Sequence, residues 1–415
     1  MFYLKRFGWV ILAILLCVGF ESVVTSGKNF DYVYRMCVLA GLYVTLAVSL
    51  NLINGITGQF SIGHAAFYQV GAYITGFFAA TGYKGFASNS LVQQLSHIGV
   101  NATWTVQGLW LVMMVLAGAA GAAVAGFVVG LPSLRLKGDY LAIVTLGFGE
   151  IIRIVCQNQP ALGGAYGMKI EPRINSMWFV WLLAILCIAV CRNLLKTAHG
   201  LPFLAVREDE VASSAMGVDV TKVKVTAFVI GAAFAGAAGA LLGHFEGFVS
   251  PPMFKMEVSF MVLTMVVLGG TGSITGSTVG ALLLFGIPEW LRQIEDSHHN
   301  PILVSAGSVL GFAIMLVAAV AYVRHLIHHF HGEKKAKTQR IVGTFAAALV
   351  AQFFLGMLLN LVPALRDKSW PYADLRWAIF AVTLIVLMLL RPQGMFAHHE
   401  FSVARFFKRP KEAAA

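Results

Sequence analysis

The chain has 415 residues, 58% of them hydrophobic and 12% charged, with a mean hydropathy of +0.77. Soluble domains carry roughly twice that share of charge, so a soluble enzyme and a disordered chain are both excluded. The net charge of +11 would suggest nucleic acid in a soluble protein. Here it reads as basic residues retained on the cytoplasmic face of a lipid bilayer, with no nucleic-acid partner.

Apolar runs such as Leu109–Val129 do not alternate as barrel strands do, so the spans are helical and the chain is an all-α polytopic membrane protein. Allowing ~20 residues per span, helices are predicted near 7–25, 36–53, 62–80, 108–131, 140–156, 176–195, 221–245, 254–268, 274–290, 302–323, 341–362 and 375–390. Lys5 and Arg6 ahead of 7–20 resemble a signal peptide, but no small-residue cleavage site follows, and the first helix is expected to be retained. With those two residues inside, most Lys and Arg fall on the same side, and both termini are expected to be cytoplasmic. The run 254–290 is interrupted by Gly269, Gly270, Gly272 and Gly276, so it is one broken span or two. Two spans place the basic segment Arg324–Arg340 inside, and two are preferred. The five cysteines form no CxxC and read as small core residues.

Small residues recur every fourth position at Gly118, Ala122, Gly126 and Gly130, at Gly231, Ala235, Gly239 and Gly243, and at Gly272, Gly276 and Gly280. Such ladders let helix backbones approach closely in lipid and predict a compact bundle without identifying a cargo.

Three stretches are too polar or too glycine-rich for their depth. The first is Asn54–His64, including Gln59, Ser61 and His64; the second is Gly147-Phe148-Gly149-Glu150 with Arg153 one turn on, and Thr145 just ahead of it joins the candidates; the third is Gly269-Gly270-Thr271 and onward to Gly276. Irregular backbone at membrane depth persists where it is buried in protein or lines a wet cavity, and transporters place substrate at interrupted helices. These residues are therefore candidates for a translocation path. Glu150 costs roughly 2.5–3.5 kcal/mol if unpaired in a span, and Arg153 at i+3 is the obvious structural partner. His64 is open to a structural role or a path-lining one. No chain of further buried acids suggests a proton relay. Between 197 and 219, acids Glu208, Asp209 and Glu210 precede a short Ala/Val stretch, as at a helix N-terminus, and Gly217 suits its end.

Five segments resemble, in order, the M-type permeases (LivM family) of branched-chain amino-acid ABC importers. They are Gly58–Phe67, Leu134–Ile151, Ala205–Ala212 with Met216-Gly217-Val218, Val267–Ser273 and Arg391–Phe396. The resemblance implies that Arg207, Glu208, Asp209, Glu210, Ala212 and Gly217 belong to a coupling helix for a separate ATPase. The fit is loose, with Glu210 seven residues before Gly217 where the general pattern has six. The chain has no phosphate-binding G-x-x-x-x-G-K-[ST] loop, so it is not expected to be an enzyme; ATP and magnesium would sit in the partner. The implied partners are an H-type permease forming a heterodimer, two cytoplasmic ATPases and a periplasmic substrate-binding protein, at a bacterial inner membrane. The implied cargo is leucine, isoleucine, valine or a similar amino acid, with urea or a short-chain amide as the alternative; an ion-coupled secondary transporter is the alternative of another class.

The expected organisation is a permease core of about ten spans, 1–290 with 375–396, containing the coupling segment 197–219. An inserted two-helix hairpin at 293–374 and a cytoplasmic tail at 397–415 complete it. The insertion departs from the family pattern, and its His325, His328, His329 and His331 with Lys334, Lys335 and Lys337 read as interfacial, not as a metal site.

Overall fold

Lipid offers no hydrogen-bond partners, so a chain of this composition must satisfy its backbone within helices. The computed structural model describes residues 30–88, 102–133, 139–174, 177–296, 303–305 and 369–371. The chain divides into two units, residues 1–282 with 396–415 and residues 283–395.

In the first unit α1 (Phe30–Asn51) runs into a π turn (Leu52–Ile56), and α2 (His64–Ala87), α3 (Ala102–Ser133), α4 (Asp139–Asn158) and α5 (Met177–Lys196) follow. Two short helices, α6 (Leu201–Glu208) and α7 (Glu210–Ala215), lead into α8 (Val220–Glu246), α9 (Met256–Gly269) and the start of α10 (Ile274–Asp296). All eight helices predicted between 36 and 290 are present. Among the described residues six segments are long and apolar enough to cross a membrane: Asp31–Ile56, Val106–Leu131, Tyr140–Asn158, Met177–Lys196, Val220–Glu246 and Pro251–Gly269. The helix α2 is less apolar because Tyr68, Gln69, Tyr73 and Thr75 lie on it, and the bundle buries all four. The first turns of α2, enclosed by other helices, need no lipid-compatible surface, whereas Phe77 and Phe78 beyond them are exposed.

The axis of this unit is α8, which packs most extensively on α3 and α2. It does so through two small-residue stripes, where the sequence suggested one. The predicted stripe faces α1 and α2: a Cβ on Gly231 would crowd Ile53 and the Ser49 carbonyl, and one on Gly239 would strike the Tyr68 carbonyl. A second stripe, Ala232, Gly236 and Ala240, receives the α3 ladder, with Gly118 against Ala240 and Gly236, and Gly126 against Ala232. Neighbouring backbones thus touch almost directly, the packing that replaces the hydrophobic effect in lipid.

At one end of the bundle β1 (Met168–Lys169) pairs antiparallel with β2 (Phe248–Val249), Met168 opposite Val249. Beside them Ile170 and Ile174 donate their amides to Gly247 and His244 carbonyls at 2.9 and 3.0 Å, and Arg35 pairs with Glu246 at 3.0 Å. The opposite end holds the π turn, α6 and α7.

In the second unit β3 (Leu303–Ser305) pairs antiparallel with β4 (Ser369–Pro371). The sequence placed 303–305 in the first turn of a helix at 302–323. Instead Leu303, β-branched Val304 and Ser305 take strand geometry opposite Pro371, Trp370 and Ser369, the cross-strand pairing supplying what a helical turn would. The predicted helix 7–25, the remainder of 302–323, 341–362, 375–390, the histidine-rich loop and the C-terminal tail lie outside the described residues.

Candidate functional site

The first helix comes apart where its sequence turns to Asn54-Gly55, residues with low helical propensity. Leu52–Ile56 form the π turn, and Gly58 takes φ +71°, a backbone conformation open to glycine. The carbonyls freed here are retrieved locally. Thr57 Oγ1 donates to Leu52 and Ile53 carbonyls at 3.3 and 2.7 Å, and Gln59 N donates to Ile53 O at 3.1 Å. Asn54 and Ser61 exchange two hydrogen bonds, 3.0 and 3.2 Å, across the irregular segment. Gln59 and Ser61 are buried, while Phe60 between them is exposed.

The start of α2 is held by side chains from three other helices. Ile62 N donates to Thr145 Oγ1 of α4 at 3.1 Å, Ala65 N to Ser259 Oγ of α9 at 3.0 Å, and His64 Nε2 lies 2.8 Å from Ser49 Oγ of α1. Buried backbone amides at a helix start need such acceptors.

The third glycine-rich stretch meets the first. Residues 254–290 form two helices, α9 and α10, joined by the turn Gly270–Ser273. The helices fold back so tightly that a Cβ on Gly269 would strike the Gly276 carbonyl, and one on Gly280 the Met265 carbonyl. Gly270 and Gly272 have φ of 112° and 90°. From this turn Gly272 N donates to Asn51 Oδ1 at 2.8 Å, and a Cβ on Gly55 would overlap both groups. Thr271 at the tip is exposed.

The predicted coupling helix is broken in two. Asp209, at φ −158°, leaves the helix α6 and accepts hydrogen bonds from Val211 N and Ala212 N at 2.8 and 3.0 Å, capping α7. A capping aspartate satisfies the new helix start and so ends the old one. Gly217, φ +86°, closes α7 as expected. Two contacts join this pair to the interrupted segment. Arg207 lies against Gly58, whose added Cβ would fall 3.2 Å from Arg207 Cγ, and its Nη1 reaches the Gly55 carbonyl at 3.5 Å. Glu210 forms an ion pair with Lys224, a buried cation in the second turn of α8. The Lys224 carbonyl accepts from Gln59 Nε2 at 3.5 Å, and the same amide donates to Thr57 Oγ1 at 2.9 Å. On the outer surface Leu201, Val211 and Met216 are exposed.

The structure therefore gathers Gln59, Ser61, His64 and Thr145 around one segment, with Gly269, Gly270 and Thr271 beside it and Arg207 and Glu210 against it. Glu150 stands apart: its hydrogen bond among the described residues is from Arg153 Nε, 2.9 Å, with both side chains part-exposed on α4. Glu208 pairs with Arg207 at 2.6 Å, and Ala212 is exposed on α7. Sequence reasoning missed Ser49, Asn51 and Ser259, which look like ordinary small or polar residues of a span. It also counted Lys224 as one more cytoplasmic charge, although a lysine followed by unbroken helix to Glu246 was a usable signal.

A family model described as "Branched-chain amino acid transport system / permease component" matches residues 32–319. The high-affinity branched-chain amino acid transport system permease protein LivM of Salmonella typhimurium is 35% identical over 323 residues, 69% of either chain. Its Escherichia coli counterpart is 32% identical over the same shares. The Escherichia coli permease protein LivH is 26% identical over 278 residues, 61% of this chain and 83% of that one. No solved structure shows a significant match.

Proposed function

The chain belongs to the branched-chain amino acid transport permease family, and we propose that it is one of two pore-forming subunits of an ATP-driven importer for leucine, isoleucine, valine or a similar amino acid. Family members of both LivM and LivH type match it, which supports an H-type permease as its partner in a multi-subunit ABC transporter. Two cytoplasmic ATPases, which hold ATP and magnesium, and a periplasmic binding protein complete the assembly. It sits in a bacterial inner membrane with both termini cytoplasmic.

The observation that carries this reading is the grip of α6 and α7 on the interrupted segment. An ATPase seated on Leu201, Val211 and Met216 would push on Arg207 and Glu210. Arg207 bears directly on Gly55 and Gly58, and Glu210 acts through Lys224 on Gln59. The segment so moved is the one that Thr145, Ser259 and Gly272 tie to α4, α9 and the glycine turn. A stroke outside the bilayer is thereby delivered at the point where the helix is least continuous.

The reading is tested by reconstituting the complex in proteoliposomes and measuring uptake of L-leucine and of urea. ATP-dependent leucine uptake that survives a protonophore and disappears with an ATP-site mutation in the partner is the expected result. Uptake of urea instead redirects the cargo, and collapse with the protonophore would establish an ion-coupled carrier.

A further inference from the structure

Gln69 and Tyr73 stand one turn apart on α2 and are 0% and 3% exposed. Neither amide atom of Gln69, nor the Tyr73 hydroxyl, has a hydrogen-bond partner among the described residues. Gln69 lies against the Cys156 thiol of α4, and Tyr73 is within electrostatic reach of the same thiol. A thiol is a weak partner for either group. The third wall is the turn Pro251–Phe254, which packs on both α2 and α4. The Phe254 ring meets Tyr68 edge-on at 5.2 Å and leans against Tyr73 at 6.3 Å. Buried amides and phenols are ordinarily satisfied, and two unsatisfied ones on successive turns of a helix call for something that meets them.

We propose that Gln69 and Tyr73, with Cys156 beside them and Phe254 and Tyr68 as an apolar wall, form a binding station for a zwitterionic aliphatic solute on its way through the subunit. None of these groups carries a full charge, so the station selects neither a cation nor an anion. The Tyr73 O–H and the Gln69 Nε2–H groups donate to a carboxylate, Gln69 Oε1 accepts from an ammonium group, and the rings cover an aliphatic side chain. The station rests on the transport reading above and adds to it where in this chain the solute is held, further along the chain, on α2, than the segment gripped by α6 and α7.

The test uses the whole complex in proteoliposomes with radiolabelled L-leucine. Gln69→Leu and Tyr73→Phe keep the volume and delete the polar atoms. If these groups were merely unsatisfied core, the apolar replacements would leave uptake unchanged and raise the melting temperature. If they meet the solute, folded yield and assembly hold while uptake at subsaturating leucine falls about tenfold for Gln69→Leu, as for a lost hydrogen bond to a charged group, with a smaller drop for Tyr73→Phe. In a variant whose other four cysteines are replaced, L-leucine should slow alkylation of Cys156 by a membrane-permeant maleimide, and L-lysine should not. Near-wild-type uptake by both variants, or alkylation indifferent to leucine, overturns the station and leaves the permease reading intact. A wild-type complex without ATP-dependent leucine uptake overturns that reading, and the station with it.

Discussion

The ion pair between Glu210 and Lys224 joins α7 to the central helix α8, and its two ends are unequally exposed. The Lys224 side chain is 7% accessible and that of Glu210 36%. Stranding one member of a fully buried pair costs ~3–5 kcal/mol, because its charge is left without water or partner. Glu210→Leu strands the buried ammonium and should approach the lower end of that range, about 3 kcal/mol. Lys224→Met frees a carboxylate that already reaches solvent and keeps the aliphatic stem packed, so it should cost about 1 kcal/mol. The assay is paired: detergent-solubilised melting of the complex, and leucine molecules moved per ATP hydrolysed in proteoliposomes. Glu210→Leu should melt earlier than Lys224→Met, both should waste ATP, and the exchange Glu210→Lys with Lys224→Glu should recover part of the coupling ratio. Equal melting for the two single variants would refute the burial argument. An unaltered coupling ratio in both would refute the mechanical link.

Substituting Gly55 by Ala forces a Cβ into the backbone of Gly272, and overpacking of that kind should lower stability by roughly 1–3 kcal/mol, read as loss of monodisperse folded protein. Thr145→Val keeps the shape but removes the acceptor for Ile62 N; leaving that amide unsatisfied should cost ~1–3 kcal/mol, and an unchanged melting temperature would show that another acceptor takes over. A cysteine placed at Thr338 should be labelled from the cytoplasm alone, and one at Asn300 from the periplasm alone; the reverse pattern would overturn the proposed orientation.

Much of the bundle was legible because lipid imposes simple rules: uninterrupted apolar length marks a span, and a glycine run marks a break. The three polar stretches were visible for the same reason, since Asn54, Gln59 and Gly272 are expensive where they stand. What could not be read was which break meets which. The hydrogen bond from Gly272 to Asn51 links residues far apart in the chain, and no local pattern encodes it. The second stripe on α8 escaped because Ala232, Gly236 and Ala240 are scattered among other small residues, so that several faces of that helix look equally smooth. The division between α6 and α7 was missed for a different reason. Asp209 was read as one of three surface acids, and its capping role depends on an extended backbone that composition does not reveal.

The enclosure of α2 bears on how the protein is made. This helix packs most extensively on α8, and α8 begins at Val220 while α2 ends at Ala87, a gap of roughly 130 residues. At ~5–20 residues per second of synthesis, the nascent chain waits on the order of ten seconds between delivering the one and completing its shelter with the other. During that interval Gln69, Tyr73 and Thr75 have no finished bundle around them. A weakly lipophilic helix must then be retained at the insertion machinery or sheltered by early contacts with α1 and α3. Stalling translation before Val220 should expose α2 to crosslinking with the insertion channel, and stalling after Glu246 should release it.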